Sequence, residues 1–361
     1  MFFLFVSCSR HLNTLTKTNK IVIFPSPPDT AKIQFLTSIS NSSDVVRKQS
    51  KFKKFVLGEE TVKPINKPYG IFIRNGKLYI CDTYLDGLEI IDLEKNTFSN
   101  FIPSGKGQLK LPLNCYVDEN NTLYVADGGR RQIVIFDING NYINCFGEAE
   151  NFKPTDVFVC KNKIWVSNIK NNKINVYDKD TYKLLNSFPE SEVGSNEYLY
   201  SPTNIYVTDD KVYVSDFGDF KIKIFTHDGE FVKSIGSYGK NLGQFVRPKG
   251  IAVDSELNLY VVDAGFENTQ IFNKEGNLLM FFGGPYQGPG YMWLPAKVIV
   301  DYDNLKYFQK YVDISFDLKY LIFVSNQYGP DKINVYGAIE PAKSEREVGD
   351  SEIKKKGKKK F

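Results

Sequence analysis

The stretch "LYVADGGRRQIVIFDINGN", Leu123 to Asn141, reads as strand, polar loop, strand and turn. Nearly the same wording returns as "VYVSDFGDFKIKIFTHDGE" from Val212 and "LYVVDAGFENTQIFNKEGN" from Leu259. Working outward from these copies, six segments open with a proline and then an apolar alternation: "PYGIFI" at Pro68, "PLNCYV" at Pro112, "PTDVFV" at Pro154, "PTNIYV" at Pro202, "PKGIAV" at Pro248 and "PAKVIV" at Pro295. Their spacings are 44, 42, 48, 46 and 47 residues. A period in the forties with several short strands per unit is the signature of propeller blades. Within a unit, Asn75-Gly76, Asn139-Gly140 and Asp228-Gly229 mark hairpin turns, because Asn, Asp and Gly accept positive φ. The expected fold is therefore all-β, a six-bladed propeller with four antiparallel strands per blade.

The sixth unit lacks a fourth strand, since "INVYGAI" runs directly into the polar "EPAKSEREVGD". The missing strand is expected at the other end, in "KIQFLTSI" from Lys32 to Ile39, closing the ring and removing a sheet edge. The chain then divides into a signal remnant and tether at 1–30, the propeller at 31–340, and a disordered lysine-rich tail at 341–361.

Bulk composition agrees with one large β domain. Of the 361 residues, 42% are hydrophobic, and 28 Phe with 22 Tyr far outnumber 2 Trp and 3 Met, which favours strands. The net charge of +4 is concentrated in the last eight residues, "KKKGKKKF", whose six lysines leave the rest of the chain at about −2. A near-neutral body argues against a dedicated nucleic-acid binder. At the start, "MFFLFVSCSR" places a short apolar run and Ser7 before Cys8, as in a bacterial lipoprotein signal. Phe5 stands where that motif prefers Leu, and no basic residue precedes the run; an upstream start codon would account for the shortness. Cys8 is the candidate lipidation site, and the bacterial cell envelope the expected location.

The repeat resembles that of the NHL propellers: proline, Gly-Ile-apolar-Val, Leu-Tyr-Val-x-Asp, a loop bearing arginine, and a strand ending in Phe before Asp-Gly. Leu123–Asn141 and Pro248–Asn277 match best. The opening "FPSPPDTAKIQFLTSIS", then "FKKFVLGEE" and "KPYGIFI", is similar to a group of six-bladed envelope lipoproteins, as is an insertion at Asp301 to Gly329. The resemblance covers about Phe24 to Gly337 and implies a fold and a place, without a reaction.

Aligned blades produce columns. Asp82, Asp127, Asn168, Asp216, Asp263 and Asn326 end the second strands, and an acid or amide once per blade reads as a turn device accepting backbone N–H groups. Two residues after each proline stand Gly70, Asn114, Asp156, Asn204, Gly250 and Lys297, expected around the channel mouth. Asn114, Asp156, Asn204 and Lys297 form the candidate ligand site. The oxygens of Asp156, Asn114 and Asn204 would suit calcium, and Lys297 an anion.

Catalytic alternatives fare less well. Resemblance to the peptidyl-amidoglycolate lyases, which use histidine-bound zinc, would imply a histidine cluster, whereas this chain has only His11 and His227. Cys81, Cys115, Cys145 and Cys160 fall in four different columns and include no C-x-x-C, so they read as free thiols. Loop residues Arg130, Arg131, Lys170 and Lys221 hint at RNA, but Asp86 and Glu267 interrupt any basic face. In "NLKYFQKYV", apolar spacing predicts a short amphipathic helix, with Tyr307, Phe308 and Tyr311 as a partner surface or a cap. The leading reading is a non-catalytic envelope scaffold that binds a protein or small ligand and needs no cofactor. A calcium-dependent lactonase-type hydrolase comes second and an RNA-binding module third.

Overall fold

A computed structural model describes residues 21–46, 61–147 and 150–342. Six antiparallel sheets stand in a ring, and their innermost strands, Pro68–Arg74, Pro112–Val117, Pro154–Cys160, Pro202–Val207, Pro248–Val253 and Pro295–Asp301, surround the axis. The fold is the six-bladed propeller expected from the repeat. Blade 2 shows the pattern: Pro112–Val117, Leu123–Asp127, Gln132–Phe136 and Tyr142–Phe146 pair in order from axis to rim.

Blade 6 is completed from the N-terminus. Ile33–Ile39 pairs antiparallel with Ile333–Pro341, Ile33 opposite Ala338 and Ile39 opposite Ile333. The ordered ring reaches further back than residue 31, because Ile23–Phe24 adds a fifth strand outside Ile33–Ile39. Residues 21–30 thus belong to the propeller rather than to a tether. The reason is packing: Phe24 lies 6.1–6.4 Å from the rings of Tyr291, Phe282 and Tyr336. Cys8 and the lysine tail lie outside the described residues.

The hydrophobic core is divided into six, one cluster between each pair of neighbouring blades. Between blades 2 and 3, Tyr124, Ile133 and Ile135 face Val157, Ile164 and Val166. Between blades 6 and 1, Leu36 and Ile39 of the closing strand join Leu321, Phe323, Ile71 and Ile80. Each third strand is buried on both sides, and apolar residues alternate there with buried polar ones such as Glu89, Asn175, Lys223 and Gln270.

Turn chemistry follows residue type. At Asn75-Gly76 both residues have positive φ, 49° and 72°, giving the tight two-residue hairpin. At Asn139-Gly140 only the glycine does, φ 82°, so the turn is longer, and the register shifts between Tyr142 and Asn144.

The insertion in blade 6 forms two 3-10 turns, Leu305–Tyr307 and Gln309–Tyr311, instead of the expected helix. So short a segment cannot offset helix nucleation without packing along one face, and its pull is toward a single contact. Phe308 is buried, 5.5 Å from Phe323, so it belongs to the core and not to an exposed partner surface. Tyr307 packs against the same cluster, and Tyr311 remains partly exposed. Gln34 of the closing strand ties the insertion down, donating to the Tyr311 carbonyl at 2.9 Å and accepting from the Asp313 amide at 3.1 Å.

Deleting residues 31–40 should abolish the cooperative melt seen by circular dichroism, since both the last blade and its interface with blade 1 lose a strand. A truncated chain that melted like the full one would refute closure. Phe308→Ala should cost about 3–5 kcal/mol in urea unfolding, the usual penalty for emptying a buried aromatic site.

Candidate functional site: the axial channel

Proline sets the geometry of the channel. It has no N–H to give the ladder, and just after the proline the pairing of each innermost strand with its neighbour slips, as between Pro154 and Asp156 or Pro295 and Lys297. Such bulges re-aim the next side chain. The six residues two places after the prolines therefore meet as a narrow waist inside the channel rather than at its mouth: Asn114, Asp156, Asn204 and Lys297 are all buried. Two of the six must be glycine. A Cβ on Gly70 would stand 2.5 Å from the Leu113 carbonyl oxygen, and one on Gly250 2.4 Å from Lys297 Cα, so adjacent strands touch backbone to backbone there.

Blades 3 and 6 face each other across the axis, and their waist residues join. Lys297 Nζ lies 2.5 Å from Asp156 Oδ2. The same oxygen accepts from Asn204 Nδ2 and the Ile205 amide, both at 3.1 Å, and Oδ1 accepts from the Val157 amide at 3.0 Å. Asn114 turns its Nδ2 to the Thr155 carbonyl, 2.7 Å. The donor set does not fit calcium. Its single carboxylate is already neutralised by an ammonium, Asn204 shows that carboxylate its NH2, and of the set's side-chain oxygens those left unpartnered are the neutral Oδ1 atoms of Asn114 and Asn204. No cluster of three His, Cys, Asp or Glu side chains that could hold a metal occurs among them either.

Beyond the waist, away from the prolines, the channel opens into a cup of about 360 Å³. Its wall is an arc of rings four places after each proline: Phe72 to Tyr116, 4.5 Å; Tyr116 to Phe158, 4.7 Å; Phe158 to Tyr206, 5.1 Å. Ala252 and Ile299 hold the same place in blades 5 and 6, so the arc is open on one side. Lys297 lies at the floor, and Arg74, Asp301 and Tyr302 lie toward the rim. Burial raises the Tyr116 phenol, partly offset by the Arg74 guanidinium, and pushes Tyr206 up to about 12, so both rings stay neutral hydrogen-bonding groups. Sequence reasoning missed this column, although the recurrence of Phe or Tyr two residues after the waist position in four consecutive blades was there to find.

The other candidates resolve locally. Asp127 accepts from the Lys110, Leu111, Gly129 and Arg130 amides at 2.7–3.0 Å, clamping the loop before its blade to the loop after its second strand. Asp82, Asp216 and Asp263 accept backbone N–H groups from both loops or the earlier one. Asn168 does likewise and adds a donated bond to the Asn151 carbonyl; Asn326 accepts from Trp293 at 3.4 Å and donates to the Asp331 carbonyl. Arg130 spends its guanidinium on the Lys106 and Gln108 carbonyls and Gln132, and Lys221 pairs with Asp219. His227 contacts the Thr208 carbonyl at 3.0 Å and lies 5.0 Å from the Trp165 ring. Cys81, Cys115, Cys145 and Cys160 are free thiols.

One column carries opposite charges in two blades. Lys223 in blade 4 is fully buried between Asp216 and Asp219, at 3.1 and 2.7 Å. Glu89 occupies the equivalent place in blade 1, opposite Ile80, with neither carboxyl oxygen hydrogen-bonded among the described residues. Burial, and then the negative charge of Asp82, push Glu89 up to about 9, so it is protonated at neutral pH.

Comparison with known proteins now places the fold. A family model described as "6-bladed beta-propeller" matches residues 194–273. This chain is a six-bladed β-propeller. No curated protein matches it. Among solved structures it is similar to a structural-genomics protein of unknown function from Bacteroides thetaiotaomicron, with TM-score 0.59, 16% identity, and 86% of this chain and 76% of that one covered. It is similar also to a gluconolactonase from Xanthomonas campestris, TM-score 0.55, 14% identity, covering 85% of this chain and 98% of the other. A streptogramin B lyase matches at TM-score 0.52 and 13% identity over 78% and 85%. Identities this low report the shared propeller fold alone.

Two tests follow for the propeller. Lys297→Met leaves a buried carboxylate without its partner and should destabilise by about 3–5 kcal/mol, whereas Lys297→Met with Asp156→Leu should recover most of the loss in urea unfolding. Glu89 ionises near 4.5 when unfolded and near 9 when folded, so the folded chain retains a proton that the unfolded chain releases. Its contribution is full below the lower value and is lost as pH rises toward the higher one. Glu89→Gln should accordingly flatten the decline in urea midpoint between about pH 5 and pH 9.

Proposed function

We propose that this propeller is a non-catalytic binding module of the bacterial cell envelope, anchored by lipid on Cys8, that takes a small ligand in the aromatic cup. The observation carrying this reading is the division of labour along the channel. At the waist, Asp156 is engaged by Lys297 and by three N–H donors of Asn204, Ile205 and Val157. What stays open is a cavity of about 360 Å³ walled by Phe72, Tyr116, Phe158 and Tyr206 and edged by polar groups, a concave shape of the kind ligand sites have. Such a wall suits the flat face of a sugar or an aromatic ring, with Arg74 and the tyrosine hydroxyls at its edges. A rigid scaffold presenting such a site is also suited to assembly with a protein partner, for which the half-exposed Tyr311 and the blade 6 insertion offer an edge.

The hydrolase reading requires calcium to displace the Lys297 ammonium. Metal analysis and native mass spectrometry of the full chain with added calcium separate the two readings. Stoichiometric calcium lost on Asp156→Ala, together with lactone hydrolysis, would overturn the binding reading. The expected outcome is no calcium stoichiometry, and a thermal-shift response to members of a panel of oligosaccharides and aryl glycosides that disappears in Tyr116→Ala. Incorporation of a palmitate analogue in bacteria, lost in Cys8→Ala, checks the anchor.

A further inference from the structure

The opposite mouth of the channel, on the proline side of the waist, has a different chemistry. Lys67 and Arg247 immediately precede the opening prolines of blades 1 and 5, while Tyr69 and Lys249 immediately follow them. Blade 6 lies between these two blades and has the apolar Leu294 and Ala296 at the same places. Lys249 Nζ sits 5.4 Å from the Tyr69 ring centroid, and Lys67 Nζ sits 5.5 Å from that of Tyr328. Trp293 and Tyr328, both 47% exposed, provide open ring faces, with Tyr286 stacked 6.0 Å from Trp293.

Among the described residues, no carboxylate forms an ion pair with Lys67, Arg247 or Lys249. Nearby acids are committed elsewhere: Asp82 and Asp263 to backbone amides, Glu267 to the Leu294 amide at 3.0 Å, and Asp331 to Ser38 and Tyr286 hydroxyls. Like charges gathered without a counter-ion repel one another. Lys249 registers this, held down to about 8 by burial first and then by Arg247 and Lys67. Three convergent cations beside ring faces, at the end of a channel, make an arrangement completed by an anion.

We propose that this mouth is a second binding site, separate from the cup, for a small planar anion: an aromatic carboxylate or phosphate whose charged group meets Lys67, Arg247 and Lys249 and whose ring lies against Tyr328 and Trp293. The waist pair of Lys297 and Asp156 closes the channel between the two sites, so they bind independently.

Trp293 supplies the readout, because the other tryptophan, Trp165, is fully buried. The full chain is titrated with benzoate and with phenyl phosphate at constant ionic strength, with phosphate alone as the control for a purely ionic contact. The expected result is saturable quenching by at least one aromatic anion, weakened about tenfold or more in both Lys249→Met and Lys67→Met and unchanged in Tyr116→Ala. Acylation of Lys249 by an activated ester, followed by mass spectrometry, should be slowed by the same anion, which reads the site even if a variant folds poorly. Absence of saturation by either aromatic anion, equal affinity in the lysine variants, or unprotected Lys249 would overturn the proposal. Failure here leaves the cup reading untouched, since that is read through Tyr116.

Discussion

The closing of the ring is the constraint on which everything else rests. No blade has a core of its own; each apolar cluster is shared by two neighbours, so a gap anywhere would expose two half-cores. The pairing of Ile33–Ile39 with Ile333–Pro341 removes that gap and converts six marginal sheets into one unit. Gln34 and Phe308 add a latch from the insertion, which binds the closing strand through side chain and backbone together.

Closure also dictates the chemistry at the axis. Six innermost strands brought within reach of one another leave room for only a few side chains, and glycine is forced where backbones touch, at Gly70 and Gly250. In that space, a charge can be tolerated only with its opposite, and the facing blades 3 and 6 supply Asp156 and Lys297. The pair is satisfied from within, its carboxylate taken up by the ammonium and by three N–H donors. The two ends of the channel differ in character, one lined by aromatic rings and the other by cations.

Buried ionisable groups elsewhere are satisfied in different ways, by an opposite charge, by backbone amides or by keeping a proton. Lys223 is matched by two aspartates, while Glu89, placed beside Asp82, has no ion-pair partner among the described residues and holds its proton instead. The clamp of Asp127 shows how loops so different in sequence can be held alike: a single carboxylate fixes both loop ends by their amides, whatever the side chains between.

By itself the sequence determined the number of blades, the four-strand grammar and the closing strand, because prolines, turn glycines and strand periodicity act locally and repeat. It also put Asn114, Asp156, Asn204 and Lys297 into one column. What only the tertiary structure decided is how that column is used. Two residues 141 positions apart in the chain become an ion pair solely because a six-fold ring sets blades 3 and 6 opposite each other, and that contact takes up the one carboxylate among the apparent metal ligands. The helix expected around Phe308 failed for a related reason, since burial of one ring against Phe323 outweighed local spacing. The joining of Lys67, Arg247 and Lys249 at one mouth was likewise invisible in the chain, where 180 residues separate the first from the second, and it follows from the geometry of closure.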